Sequence, residues 1–204
     1  MRLEYFGVHG KAIAIRMIFD YTNTEFEDKR YTMEEYVGAN SPKPNLKWGQ
    51  VPVLYLDDGT QIAQSKSICR YLAKIYKGRE GETLYPAHED PMLSYEIDAV
   101  MDEIEDLNPK VFPFMSSISP EYKNKDEHFV NFIVKFFPEY LAKLEARFEK
   151  NGQKFLLADH MTLGDIAVGA LLFKTAYNEN YDNCHILQAV ISKDKFPKTY
   201  QWCA

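Results

Sequence analysis

The hydrophobic pattern changes character near Pro91, and no other feature restricts the fold as much. Before that point short β-prone segments alternate with short amphipathic ones; after it the apolar spacing is helical throughout. Such a chain reads as an α/β domain followed by an all-α domain. The polar run at 77–90, with two glycines and Pro86, separates them, which sets the domains at 1–77 and 91–204 with a linker at 78–90.

In the first domain, residues 2–6 read as a strand with Leu3 and Tyr5 on one face. Gly7 and Gly10 bracket a loop, and residues 11–21 form a helix with Ala12, Ile15 and Phe19 at helical spacing. Residues 27–31 give a second strand, and 40–48, with two prolines and two asparagines, a loop. Asp57-Asp58-Gly59 marks a hairpin between strands at 53–56 and 61–63, because the turn needs the positive φ that Gly supplies. Ser65 then caps a helix to about residue 76, with Ile68, Leu72 and Ile75 on its buried side.

In the second domain, residues 91–115 form one helix with an acidic face of Asp98, Asp102, Glu105 and Asp106. Residues 126–149 form another, with Phe129, Phe132, Ile133, Phe136, Tyr140 and Leu144 as apolar positions and Pro138 set to kink or divide it. Thr162 and Asp165 have capping-box spacing at the start of a third, with Met161 and Ile166 where a hydrophobic staple sits. Their role is folding.

The net charge of -6 and the lack of a long Lys/Arg run argue against a nucleic-acid partner. Cys69, Cys184 and Cys203 match no metal pattern and fit a reducing compartment; the histidines are too scattered for a metal site. With no apolar leader and no span of about 18 apolar residues, the chain is expected to be cytoplasmic, with no membrane contact. There is no Cys-x-x-Cys to support dithiol redox chemistry, and Cys69 belongs to the core.

Three places could carry chemistry. The helix start at Gln64-Ser65 favours an anion, although a plain N-cap is the commoner role of such a serine. A cis Val51–Pro52 bond would turn the Val51 N–H and C=O outward to pair with an extended peptide, although few such bonds are cis. Tyr5 is one of 14 tyrosines, most of them there for packing, but a phenol can hydrogen-bond to a thiolate and favour the ionised form. His9 lies beside it as a loop residue.

The stretch GQVPVLYLDDGTQIAQSKSICRYLAKIY at 49–76 resembles the signature of the cytosolic glutathione transferases. LEYF at 3–6, GKAIAIR at 10–16 and FEDKRY at 26–31 are most similar to the sigma class, which includes prostaglandin D synthases, and Thr162-Leu163-Gly164-Asp165 resembles the family's capping motif. The resemblance implies a thioredoxin-like N-terminal domain, an all-α C-terminal domain and a homodimer, with glutathione as co-substrate and no metal. It implies that Tyr5 stabilises the glutathione thiolate. Val51, before a cis Pro52, would pair with the cysteinyl backbone, with Gln50 beside it, and Gln64 and Ser65 would hold the γ-glutamyl end. Lys43, seven residues before Gln50, would take the glycine carboxylate, and Asp106 would reach the γ-glutamyl amine of the neighbouring subunit's glutathione. Lys11 stands where the family usually has Arg, and Ile13 where it has Glu; Tyr36 stands in for a tryptophan at the glycine end.

The implied activity is conjugation of glutathione to small hydrophobic electrophiles, a detoxification chemistry. Val8, Phe112 and Leu171 are expected to wall an apolar electrophile pocket. Glutathione-dependent prostaglandin isomerisation and a non-catalytic structural role are the alternatives.

Overall fold

The computed structural model describes residues 1–86, 88–115, 124–152 and 154–204. Position 87, inside the expected linker, lies outside them. The chain divides into two compact units, Met1–Glu89 and Asp90–Ala204, so residues 78–86, 88 and 89 belong with the first.

The first unit is a four-stranded sheet of order β2-β1-β3-β4, from β1 (Arg2–Phe6), β2 (Glu27–Tyr31), β3 (Val53–Tyr55) and β4 (Gln61–Ala63). β1 pairs parallel with β2 through α1 (Ile13–Tyr21) and antiparallel with β3. α1 starts two residues later than its pattern suggests, after a turn at 10–12. The β3–β4 hairpin forms as the Asp-Asp-Gly signal requires: Gly59 adopts φ +84°, and Asp58 Oδ1 accepts the Thr60 N–H at 2.8 Å. Before β3, short 3-10 turns at Lys43–Asn45 and Lys47–Gly49 tighten the expected loop. A short helix not read from the sequence, α2 (Met33–Val37), precedes them. α3 (Ser65–Ile75) packs against α1, with Ile68, Cys69, Leu72 and Ala73 buried. Two expectations are corrected there. Ser65 is the first helical residue rather than the cap, which is Gln64. Ile75 is exposed, because the helix ends on it.

Among the described residues of the second unit, all regular secondary structure is helical. α4 (Pro91–Met115) matches its predicted span. The predicted helix at 126–149 is divided into α5 (Lys125–Asn131), a π-helical turn (Phe132–Phe136) and α6 (Phe137–Asn151). Pro138 lacks the N–H that an unbroken helix would bond back four residues, and the widened turn sits immediately before it. Widening brings residues five apart onto one face, so the Phe132 and Phe137 rings stack at 5.3 Å. Phe137 is therefore core, while Phe136, the expected core position, is only partly buried.

α7 (Leu163–Lys174) is buried almost all round and packs on α4. The Asp165 carboxylate near its start accepts the N–H and hydroxyl of Thr162 at 3.0 and 2.7 Å and the N–H of Leu156 at 2.7 Å. Asp thus serves where Glu or Gln is usual. α8 (Cys184–Val190) and α9 (Pro197–Cys203) complete the unit, and the buried Glu145 of α6 accepts the Lys198 and Thr199 N–H groups at 2.8 Å each.

Candidate active site

Strand pairing places the candidate residues of the first unit at one end of the sheet. Glu4 lies opposite Val53, and Val53 opposite Ala63. Continuing both registers by one residue sets Tyr5, Pro52 and Gln64 in a row, and by two, Phe6, Val51 and Ser65. With strands about 4.8 Å apart, the row spans about 10 Å, close to an extended tripeptide. The Val51–Pro52 peptide is cis.

Tyr5 is the penultimate residue of β1 and is buried. Its hydroxyl oxygen accepts the backbone N–H of Lys11 at 3.0 Å, which leaves its own proton available to donate elsewhere. Burial raises the Tyr5 pKa; the Lys11 N–H and the Arg16 guanidinium pull against that. The phenol is thus a protonated donor across the physiological range. Burial, with Arg16 and Arg30, lowers the His9 pKa, so the imidazole beside the site is biased to neutral.

The sequence reading assigned Lys11 through its side chain, yet the contact to Tyr5 comes from its main chain. It gave no role to Arg16. The Arg16 guanidinium bonds the carbonyls of Val8 (2.8 Å) and Phe6 (3.2 Å), pairs with Asp28 at 3.2 Å, and lies 5.9 Å from the Tyr5 ring centre. It thereby ties down both ends of the turn that follows Tyr5. Ile13, where the resemblance leads one to expect Glu, is buried.

Gly10 approaches the phenol so closely that an added Cβ would lie 2.4 Å from its oxygen, and its φ is +42°. Gly10→Ala is expected to push the phenol aside and lower turnover about tenfold or more, since misplacement by about 1 Å can cost 10²-fold. Glutathione affinity should change much less, and calorimetry beside steady-state rates separates the two. Unaltered turnover would show that the phenol position is unimportant.

At the far end of the row Gln64 holds φ 71° and ψ 109°, a conformation costly for a residue with a Cβ. Strain of this kind is retained where the surroundings impose it, often at binding sites. It delivers the chain into α3, whose first-turn N–H groups have no acceptor within the helix and favour an anion. Ser65 is half-buried and Gln64 exposed. Along the near edge, Lys43 and Gln50 are exposed, Val51 is half-buried, and the Tyr36 hydroxyl donates to the Gly49 carbonyl at 3.3 Å.

The remaining candidates have other settings. Val8 is exposed in the turn after β1. In the second unit, Asp106 and Phe112 are exposed on α4, whereas Leu171 is 2% exposed inside the helical core. Leu171 therefore packs that core. Cys69 is buried on α3 with its thiol pushed up to about 12, which makes it inert. Among the described residues no group of His, Cys, Asp or Glu could hold a metal ion, and no helix is long and apolar enough to cross a membrane.

Known proteins are similar to this chain along its whole length. Residues 1–74 match the glutathione S-transferase N-terminal domain, and 105–200 the C-terminal domain. Glutathione S-transferase 3 of Caenorhabditis elegans is 32% identical, over 100% of this chain and 95% of its own. Glutathione S-transferase S1 of Drosophila melanogaster is 34% identical over 86% of this chain and 60% of its own. Among solved structures, the prostaglandin synthase D of Nilaparvata lugens is similar with a TM-score of 0.71 at 25% identity, covering 99% of this chain and 96% of that one. A thioredoxin-like unit, an all-α unit, and matches to both domains over most of the sequence place this chain in the glutathione S-transferase family.

Proposed function

We propose that this protein ionises the thiol of glutathione with Tyr5 and transfers the glutathionyl group to a small hydrophobic electrophile. The observation that carries the reading is the Tyr5 hydroxyl, whose oxygen is held by the Lys11 amide while its proton remains to be given to an anion. The thiol proton leaves to solvent, the Tyr5 O–H donates to the sulfur anion, and the sulfur attacks the electrophilic carbon as its leaving group departs. Glutathione lies along the row at the sheet end. Val51 pairs with its cysteinyl backbone, flanked by Gln50 and Pro52; Gln64, Ser65 and the α3 N-terminus hold the γ-glutamyl carboxylate. Lys43 takes the glycine carboxylate, with Lys11 as a further cation nearby. The protein acts as a cytoplasmic homodimer in which Asp106 reaches the γ-glutamyl amine in the neighbouring subunit.

Isomerisation of a prostaglandin endoperoxide is the second reading, favoured by the likeness to the Nilaparvata lugens prostaglandin synthase. Assays with an endoperoxide and with 1-chloro-2,4-dinitrobenzene distinguish the two by product. The protein is expected to be retained on immobilised glutathione and eluted by the free tripeptide. Passage straight through the column would favour a non-catalytic role.

A further inference from the structure

Tyr36 lies in α2, which precedes the segment carrying both Lys43 and Val51. α2 is fixed at its start by reciprocal bonds, Thr32 N–H to Glu35 Oε2 at 2.7 Å and Glu35 N–H to Thr32 Oγ1 at 3.1 Å, which sets where Tyr36 leaves the helix. Its ring meets that of Phe6 edge-on at 4.9 Å, and Phe6 in turn lies 5.3 Å from Tyr5. Behind it, at 6.2 Å, stands Tyr31, whose hydroxyl donates to the buried Glu4 carboxylate.

Three ties run from Tyr36 into the following segment. Its hydroxyl donates to the Gly49 carbonyl at 3.3 Å, two residues before Val51. Its carbonyl accepts the Ser41 hydroxyl at 2.5 Å, and the Ser41 oxygen accepts the Lys43 N–H at 3.3 Å. The Lys43 ammonium lies over its ring, 4.6 Å from the centre, where the negative face of the aromatic attracts a cation. One side chain thus ties together the two elements assigned to neighbouring residues of glutathione: the ammonium, for its glycine, and the segment entering Val51, for its cysteine.

We infer that Tyr36 is a positioning residue that fixes the distance between the Lys43 ammonium and the Val51 backbone, rather than a residue that touches the tripeptide. The inference rests on the glutathione reading above and adds to it the device that sets the spacing between the cysteinyl and glycine contacts.

The test is calorimetric titration of glutathione into wild type, Y36F, Y36L, K43M and the doubles Y36F/K43M and Y36L/K43M, with turnover of 1-chloro-2,4-dinitrobenzene measured alongside. Y36F keeps the ring beneath Lys43 and removes the hydroxyl tie. Its affinity is expected to fall roughly fivefold, as for one hydrogen bond, while kcat at saturating glutathione stays within about twofold. Y36L removes ring and hydroxyl together and should lose about twentyfold. K43M should cost its full amount in the Y36F background and clearly less in Y36L, because only the ring orients the ammonium.

Equal affinities in wild type, Y36F and Y36L overturn the inference, as does a fall in kcat at constant affinity, or full additivity of Y36L with K43M. Should Y36L not fold, the affinity and kcat of Y36F and its additivity with K43M decide alone. Failure of the wild type itself to bind glutathione is a different result: it removes the functional reading and this inference with it.

Discussion

At about pH 5.5, below both ionisations of the bound thiol, Tyr5→Phe is expected to lower conjugation by about 10²-fold while leaving glutathione affinity nearly intact, since the lost donor acts on the sulfur anion and the bound thiol is there mostly neutral. The pH profile gives the more specific reading. A cysteine-type thiol ionises near pH 8.5, and a shift of about two units to near 6.5 requires about 2.7 kcal/mol of preferential interaction with the anion. One charge-assisted hydrogen bond with help from local dipoles is of that size. The acid limb of kcat/KM for the electrophile, measured at saturating glutathione, is therefore expected near pH 6.5 in the wild type and near 8.5 in Y5F. The ultraviolet absorbance of bound thiolate should move by the same interval. Tyr5 itself does not set that limb, because burial raises its pKa. Identical limbs in the two proteins would falsify the role given to Tyr5.

Asp165→Ala is the largest stability effect expected. The carboxylate is 1% exposed and accepts from Leu156 N–H, Thr162 N–H and the Thr162 hydroxyl. Burial pushes its pKa up and those donors oppose the rise. Removing the acceptor leaves two backbone donors stranded in the core, at a cost of about 3 kcal/mol or more. Asp165→Asn keeps one accepting oxygen and should lose about half as much. Urea unfolding monitored by far-ultraviolet dichroism compares the two. If the alanine variant unfolded at the wild-type midpoint, the box would be dispensable.

The β3–β4 hairpin was legible because Asp57-Asp58-Gly59 admits few alternatives, and α4 because its apolar spacing runs unbroken for seven turns. α2 went unread although Thr32-x-x-Glu35 carries capping-box spacing; five residues with no buried side chain leave no periodic signal. Phe137 was missed for a geometric reason, since an α-helical count from Phe132 lands on Phe136 and only the π turn brings the fifth residue round. Glu4 was invisible as well. Alternation assigns it to the face opposite Leu3 and Tyr5, and nothing local shows that Tyr31, Arg2 and Lys29 gather around its carboxylate.

The site divides in the same way. Tyr5, Val51, Pro52, Gln64 and Ser65 stood out by their residue chemistry but received roles only through resemblance, and strand register explains why residues so distant in sequence meet in one row. Arg16 lay within a quoted motif but had no assigned task, since its partners are two carbonyls and Asp28, and main-chain acceptors carry no side-chain signature.

The hold that Lys11 has on the phenol is a main-chain hold, and this governs which sequences the position tolerates. Natural drift or a mutagenesis library can exchange the eleventh side chain widely without disturbing the oxygen of Tyr5. Proline, the one common amino acid whose peptide nitrogen bears no hydrogen, is the replacement that would sever it.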